Sequence, residues 1–131
     1  MIVDSSALVA VALNEPDAAS FAATLNRTAN PAISAANYLE ASIVIDRSRN
    51  PLASRIFDEL VREVGLTIEP VTAEQARIAR EAYRDFGKGS GHPAGLNFGD
   101  CFAYALAKDR GEPLLFKGDD FSQTDVRSAL P

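Results

Sequence analysis

The chain is expected to fold as a single α/β domain, with a mainly parallel central sheet and helices on both faces. Three observations lead there. Short apolar or alternating segments at 1–3, 30–34, 66–71 and 113–117 are separated by helix-forming stretches, and strands that alternate with helices pair in parallel. A length of 131 residues with 47% apolar and 24% charged residues suits one domain with a real core. Finally, carboxylates follow the first and last strand segments, Asp4 in one case and Asp119-Asp120 in the other, and open α/β sheets bind ligands beyond the carboxyl ends of their strands.

Each element has a local reason. The run "MIV" is the first strand, and Ser5 or Ser6 is placed to cap a helix carrying Ala7, Leu8, Val9, Val11 and Leu13. Asn14-Glu15-Pro16 breaks that helix, and Asp17 is placed to cap a second one through Leu25. Residues 30–34 form the second strand and residues 35–47 the next helix. Pro51 suits the first turn of a helix reaching Val64, where Gly65 ends it. Residues 66–71 alternate as a strand does. Thr72 and Gln75 form a capping box for a helix to about Phe86. The stretch 87–99 holds five of the eight glycines and reads as a flexible loop. Residues 98–108 are apolar nearly all round, which predicts a buried helix. Residues 113–117 are the last strand.

Composition excludes several functions. No apolar run approaches the 20 or so residues of a membrane span, so no membrane role is expected. The N-terminus has no basic n-region or cleavage site of a secretory signal. One cysteine, Cys101, allows no internal disulfide, and a reducing, cytoplasmic setting is expected. With a single histidine there is no Cys/His zinc site, so any metal must be held by oxygens, which suits Mg²⁺ or Mn²⁺. The net charge of −5 argues against coating nucleic acid by bulk charge. The segment "GKGS" lacks the order G-x-x-x-x-G-K-[ST] and is not a phosphate-binding loop of that kind.

Four acidic positions sit in apolar company: Asp4 after "MIV", Glu40 in "NYLEASIVI", Asp100 opening "DCFAYALA", and Asp119-Asp120 after "PLLFKG". Singly, each has an ordinary explanation: a helix cap for Asp4, an arginine partner for Glu40, a favourable helix start for Asp100, turn chemistry for Asp119-Asp120. Jointly they describe one acidic pocket at the binding edge. Carboxylates gathered there repel one another, and a divalent cation relieves the repulsion and creates a site able to activate water on a phosphate.

The stretches "IVDSSALVAVALNEPDA", "SAANYLEASIVI", "AYRDFGKGSGHPAGLNFGDCFAYALAK" and "PLLFKGDDFSQTD" resemble, in order and spacing, the PIN-domain ribonucleases, and specifically the VapC toxins of type II toxin–antitoxin modules. The resemblance covers residues 1–131 as one PIN domain. It implies a Mg²⁺- or Mn²⁺-dependent endoribonuclease, a hydrolase held inactive by a cognate VapB-like antitoxin. Carried over by residue, it implies Asp4 and Asp100 as the principal metal ligands, Glu40 completing the site directly or through water, and either Asp119 or Asp120 as the fourth acid. Ser6 would orient the first carboxylate or a water.

The other readings are a metal-dependent phosphodiesterase or DNA nuclease on the same acids, or a catalytically silent module of the same fold. Lys88, His92, Arg47, Arg49 and Lys117 are the candidates for contact with RNA phosphates, with His92 a loop or surface residue rather than a catalyst. The resemblance also implies a homodimer, for which the region around Leu52, Ile56 and Leu60 or the short C-terminal elements are the candidate surfaces. The antitoxin is expected to bury the apolar surface of the N-terminal helices and to send a basic residue into the acidic pocket.

Overall fold

Strand side chains point alternately to the two sides of a sheet, and in this chain both sides are covered. The computed structural model describes all 131 residues. Its strands are β1 (Ile2–Val3), β2 (Ala32–Ser34), β3 (Thr67–Glu69) and β4 (Leu114–Leu115), and its helices are α1 (Ser5–Ala12), α2 (Ala18–Arg27), α3 (Ala35–Arg47), α4 (Pro51–Glu63), α5 (Ala73–Phe86) and α6 (Phe98–Arg110). The strands lie in the order β3-β2-β1-β4, and every pair is parallel.

Ile2 is in register with Ala32 and Leu114, and these three pack with Ala82, Ala103 and Leu106 of α5 and α6. Val3, Ile33 and Leu115 face the other way, onto Leu8, Phe21, Leu25, Ile45 and Phe57 of α1–α4. A fully buried side chain of this size contributes about 1.5–3 kcal/mol. The sheet is thus the middle of three layers, and its carboxyl edge is where β1, β2 and β4 hand over to α1, α3 and the segment after β4.

The strands are shorter than the sequence predicts. Met1 and Pro113 still exchange backbone bonds with their neighbours through Ala32 N and Ile2 N, but they lie beyond the regular ladder. At the free edge β3 stops at Glu69, where Pro70 cannot donate.

Three helix starts differ from expectation. The cap of α1 is Asp4, not Ser5 or Ser6: the Ser6 N–H donates to Asp4 Oδ2 at 3.0 Å. Asp17 sits at the N-cap position of α2 but makes no capping bond, because Lys117 Nζ holds its carboxylate at 3.2 Å. Thr72 caps α5 by accepting from Gln75 N. The Gln75 side chain binds Asp109 instead of closing the box.

The glycine-rich stretch is not an open loop. Lys88 N donates to Leu96 O, and Leu96 N to Phe86 O; Ala94 and Leu96 are buried. His92 packs edge-on against Phe86, and its Nδ1 accepts from Ala94 N at 3.1 Å, so this side chain organises the turn. Helix α6 is buried along most of its length, yet its first residue, Phe98, is 78% exposed because it projects past the sheet edge. No helix is long and apolar enough to cross a membrane.

Candidate active site

β1 is two residues long and ends in the core, so its next residue, Asp4, is 3% exposed although charged. Burial pushes its carboxyl up to about 6 from the ordinary 3.8. The two bonds from Ser6 pull the other way, and the charges of Asp100 and Glu40 add to the rise. Asp100 is raised as well, first by burial and then by the charges of Asp120 and Glu40, against the bond from Asn97. These mutual effects place Asp4, Glu40, Asp100 and Asp120 around one space. Of the two adjacent acids after β4, Asp120 acts on Asp100 and Asp119 acts on neither Asp4 nor Asp100, which puts Asp120 nearer to that carboxylate. Gly118, at φ 97, makes the turn that presents Asp120.

The three inner acids are held in the same way, by one oxygen each. Asp4 Oδ2 accepts from Ser6 N at 3.0 Å and Ser6 Oγ at 2.6 Å, while Oδ1 is buried with no partner. Glu40 Oε1 accepts from Ser5 Oγ at 2.5 Å and Asn37 Nδ2 at 3.3 Å. Asp100 Oδ2 accepts from Asn97 N at 3.0 Å, and Asn97 Oδ1 accepts from Asp100 N, a complete capping box. The second oxygen of each makes no hydrogen bond. Ser6 also ties two elements together, since its Oγ accepts from Lys117 N at 3.0 Å and so joins the end of β4 to the start of α1.

No cation answers these acids. None of the ion pairs in the structure involves them. Lys117, a candidate for RNA contact, turns its ammonium to Glu15 Oε1 at 2.7 Å and to Asp17. Arg47, Arg49 and Lys88 are exposed and unpaired, and remain free for a polyanion. Buried charge without a partner is unfavourable, and an orphaned carboxylate oxygen beside further acids suits a hard divalent cation with oxygen ligands. No three side chains stand close enough to form a ready-made cage, so such an ion would be held by one or two carboxylates and by water, the habit of Mg²⁺.

A surface cleft of about 280 Å³ opens between α5 and α6, lined by Ala76, Ala79, Arg80, Tyr83, Phe98 and Phe102 among others. It adjoins the acidic edge through Phe98, which meets Phe102 edge-to-face. On the opposite side Leu52 is 54% exposed, but Leu60 is 8% exposed and belongs to the core. The three-residue patch expected as a dimer surface is therefore not continuous.

Sequence reasoning passed over Ser5, Asn37, Asn97 and Gly99. Two of them carried a signal: Asn37 stands one helical turn before Glu40, and Asn97 three residues before Asp100. The need for glycine at 99 depends on a contact between distant segments and had none.

Residues 1–127 match the family model described as the PIN domain. The chain belongs to the PIN-domain family. Within it, this PIN domain is 58% identical over 130 residues to the VapC ribonuclease Mb0625 of Mycobacterium bovis, covering 99% of this chain and 98% of that one. Ribonuclease VapC42 of Mycobacterium tuberculosis is 50% identical over 129 residues, with 98% of each chain covered. The fold is shared with the crystal structure of Mycobacterium tuberculosis VapC20, described as a sarcin-ricin loop cleaving toxin, at TM-score 0.75 and 17% identity over 95% of both chains. A toxin–antitoxin complex from Klebsiella pneumoniae gives TM-score 0.67 at 14% identity, over 92% of this chain and 89% of that one.

Proposed function

We propose that this PIN domain is a divalent-metal-dependent endoribonuclease and the toxin of a type II toxin–antitoxin module. The observation that carries the chemistry is the half-anchored state of Asp4, Glu40 and Asp100, three acids with one oxygen fixed, the other without a hydrogen bond and no cation to neutralise them. Identity of 46–58% to VapC ribonucleases over nearly the whole chain supports RNA as the substrate and a VapB-like protein as the partner.

Asp4 and Asp100 would hold Mg²⁺ or Mn²⁺, and the ion would supply a Lewis acid for the phosphate and lower the pKa of water. Ser6 fixes Asp4 Oδ2 and thereby keeps Oδ1 turned away from the helix it caps. Ser5 and Asn37 fix Glu40 Oε1, which leaves Oε2 to accept a proton from a water aligned with the scissile bond. Asp120 is exposed and adds negative charge at the rim beside Asp100. Phe98 offers a flat, exposed ring two residues from Asp100, and unstacked RNA bases stack on such rings. A VapB-like antitoxin would place a basic residue among the acids, supplying the cation the chain itself does not. We also propose a homodimer, in keeping with the family.

The test is cleavage of transfer and ribosomal RNA by protein free of antitoxin, with EDTA, Mg²⁺ or Mn²⁺, beside Asp100→Asn and a single-stranded DNA control. Discrete RNA fragments that require both metal and Asp100 establish the function. Cleavage of the DNA in preference to RNA would reassign the substrate, and intact RNA from folded, metal-loaded protein would turn the reading to a silent binding module.

A further inference from the structure

Only three buried polar side-chain atoms in the whole chain lack a hydrogen-bond partner: Asp4 Oδ1, Ser34 Oγ and Asn37 Oδ1. All three lie at the carboxyl edge of the sheet. Departures from polar satisfaction that gather at one place mark a function that outweighs stability. Asp4 is explained above; Ser34 and Asn37 are not.

Ser34 is the N-cap of α3 and Asn37 lies three residues on, the spacing at which two polar side chains close a reciprocal cap. The cap is not formed. Asn37, fully buried, instead sends its amide nitrogen to Gly99 O at 2.9 Å and Glu40 Oε1 at 3.3 Å. An amide nitrogen carries two hydrogens, and both go to the seam between α3 and α6. At that seam Gly99 has no side chain, and a Cβ built there falls on Glu40 Oε2 and crowds the rest of the carboxyl. Gly99 is not at a positive φ, so glycine is not there for backbone conformation.

We infer that Asn37 is a positioning residue that clamps Glu40 to the first turn of α6, and that Gly99 is the gap that admits the Glu40 carboxyl beside Asp100. This rests on the nuclease reading for what Glu40 does, though not for where it lies. One side chain thereby sets the spacing of two acids carried on different helices: it binds Glu40 directly, and it binds the carbonyl of the residue before Asp100. A purely structural asparagine would cost stability when lost, through the unpaired Gly99 carbonyl, and would change metal affinity and kcat only in step with that loss.

The experiment compares wild type with Gly99→Ala and Asn37→Leu in three measurements: thermal stability, Mn²⁺ affinity by calorimetry without RNA, and kcat and KM for RNA cleavage. Alanine is a better helix former than glycine, so Gly99→Ala is expected to melt no lower than wild type. Its Mn²⁺ affinity and kcat should each fall by about tenfold, the effect of losing a group that orients a ligand, with KM nearly unchanged. Asn37→Leu should lower Mn²⁺ affinity and kcat to a similar extent, and it should also melt lower, because Gly99 O loses its donor. Wild-type Mn²⁺ affinity and kcat in a folded Gly99→Ala protein would overturn the inference, as would losses that merely follow the melting temperature. If wild type neither binds Mn²⁺ nor cleaves RNA, the nuclease reading fails by itself. Crystal structures then decide the clamp: a Glu40 carboxyl displaced by about 1 Å, a shift large enough to matter in a site, upholds it, and an unmoved one refutes it.

Discussion

The two ends of α6 treat acidic residues in opposite ways. At the C-terminal end, Asp125 accepts from Tyr104 Oη at 2.7 Å and Lys108 Nζ at 2.9 Å, and Arg110 meets Glu69 at 2.9 Å. The bond from Tyr104, with Lys108 beyond it, holds Asp125 below the usual carboxylate range, and the Tyr104 hydroxyl is pushed above its own. At the N-terminal end, Asp100 has one backbone donor, Asn97 N, but no cation, and it is raised. The helix dipole favours an acid at that end, yet burial and neighbouring acids outweigh it. Where the fold uses an acid for architecture it supplies positive partners; at the other end of the same helix it leaves the acid half satisfied and without a cation.

The most severe way to break this contrast is Asp100→Asn. Asparagine can still accept from Asn97 N, so the cap and the melting temperature should persist, while RNA cleavage falls on the order of a thousandfold, as when one preorganised charge-stabilising group is lost. A large fall in melting temperature would mean that the N-terminal end is architectural too.

The next effect is in pH. The Asp4 carboxyl is raised from 3.8 to about 6 in the fold, so the native state binds the proton more tightly than the unfolded one. Stability from this group is therefore complete below pH 3.8 and is lost as pH rises through about 6. Metal-free wild type should lose up to about 3 kcal/mol relative to Asp4→Asn across that window. Chemical denaturation of both proteins along a pH series measures the difference, and a flat difference would show that Asp4 is not desolvated. Adding Mn²⁺ above pH 6 should restore wild type and not Asp4→Asn.

A smaller effect separates the two adjacent acids after β4. Asp120→Asn should lower kcat by about tenfold and Asp119→Asn by less than twofold, because only Asp120 acts on Asp100. Equal losses in the two variants would erase that distinction. Smallest is Asp125→Asn at the other end of α6. Asp125 is lowered in the fold, so its stabilisation is present above pH 3.8 and disappears as pH falls below it. More than half of its side chain is exposed, which limits the loss to about 1 kcal/mol or less, and RNA cleavage should not change.

Much of this was legible in the chain. The order of strands and helices, the bounds of α3 at residues 35–47 and the convergence of four acids follow from periodicity and from the binding-edge rule. What could not be read depended on distant partners. Lys117 looked like an RNA contact, but Glu15 and Asp17, a hundred positions away, hold its ammonium. Asp17 therefore lost the cap its position offered. Leu60 was a candidate for a dimer surface, yet the sheet side of α4 claims it. The glycine-rich stretch looked loose because composition reports freedom, whereas Leu96 and His92 fix it through packing and a single side-chain bond.

The capping box at the start of α6 has a genetic consequence. Its Asp100 arm accepts one backbone hydrogen bond, a task asparagine performs equally, and aspartate and asparagine codons differ by a single base. On the proposed nuclease reading, a cell carrying this chain is therefore one point mutation from a folded but inert copy. That copy would keep every surface remote from the acids and would compete with the active form for whatever protein binds them.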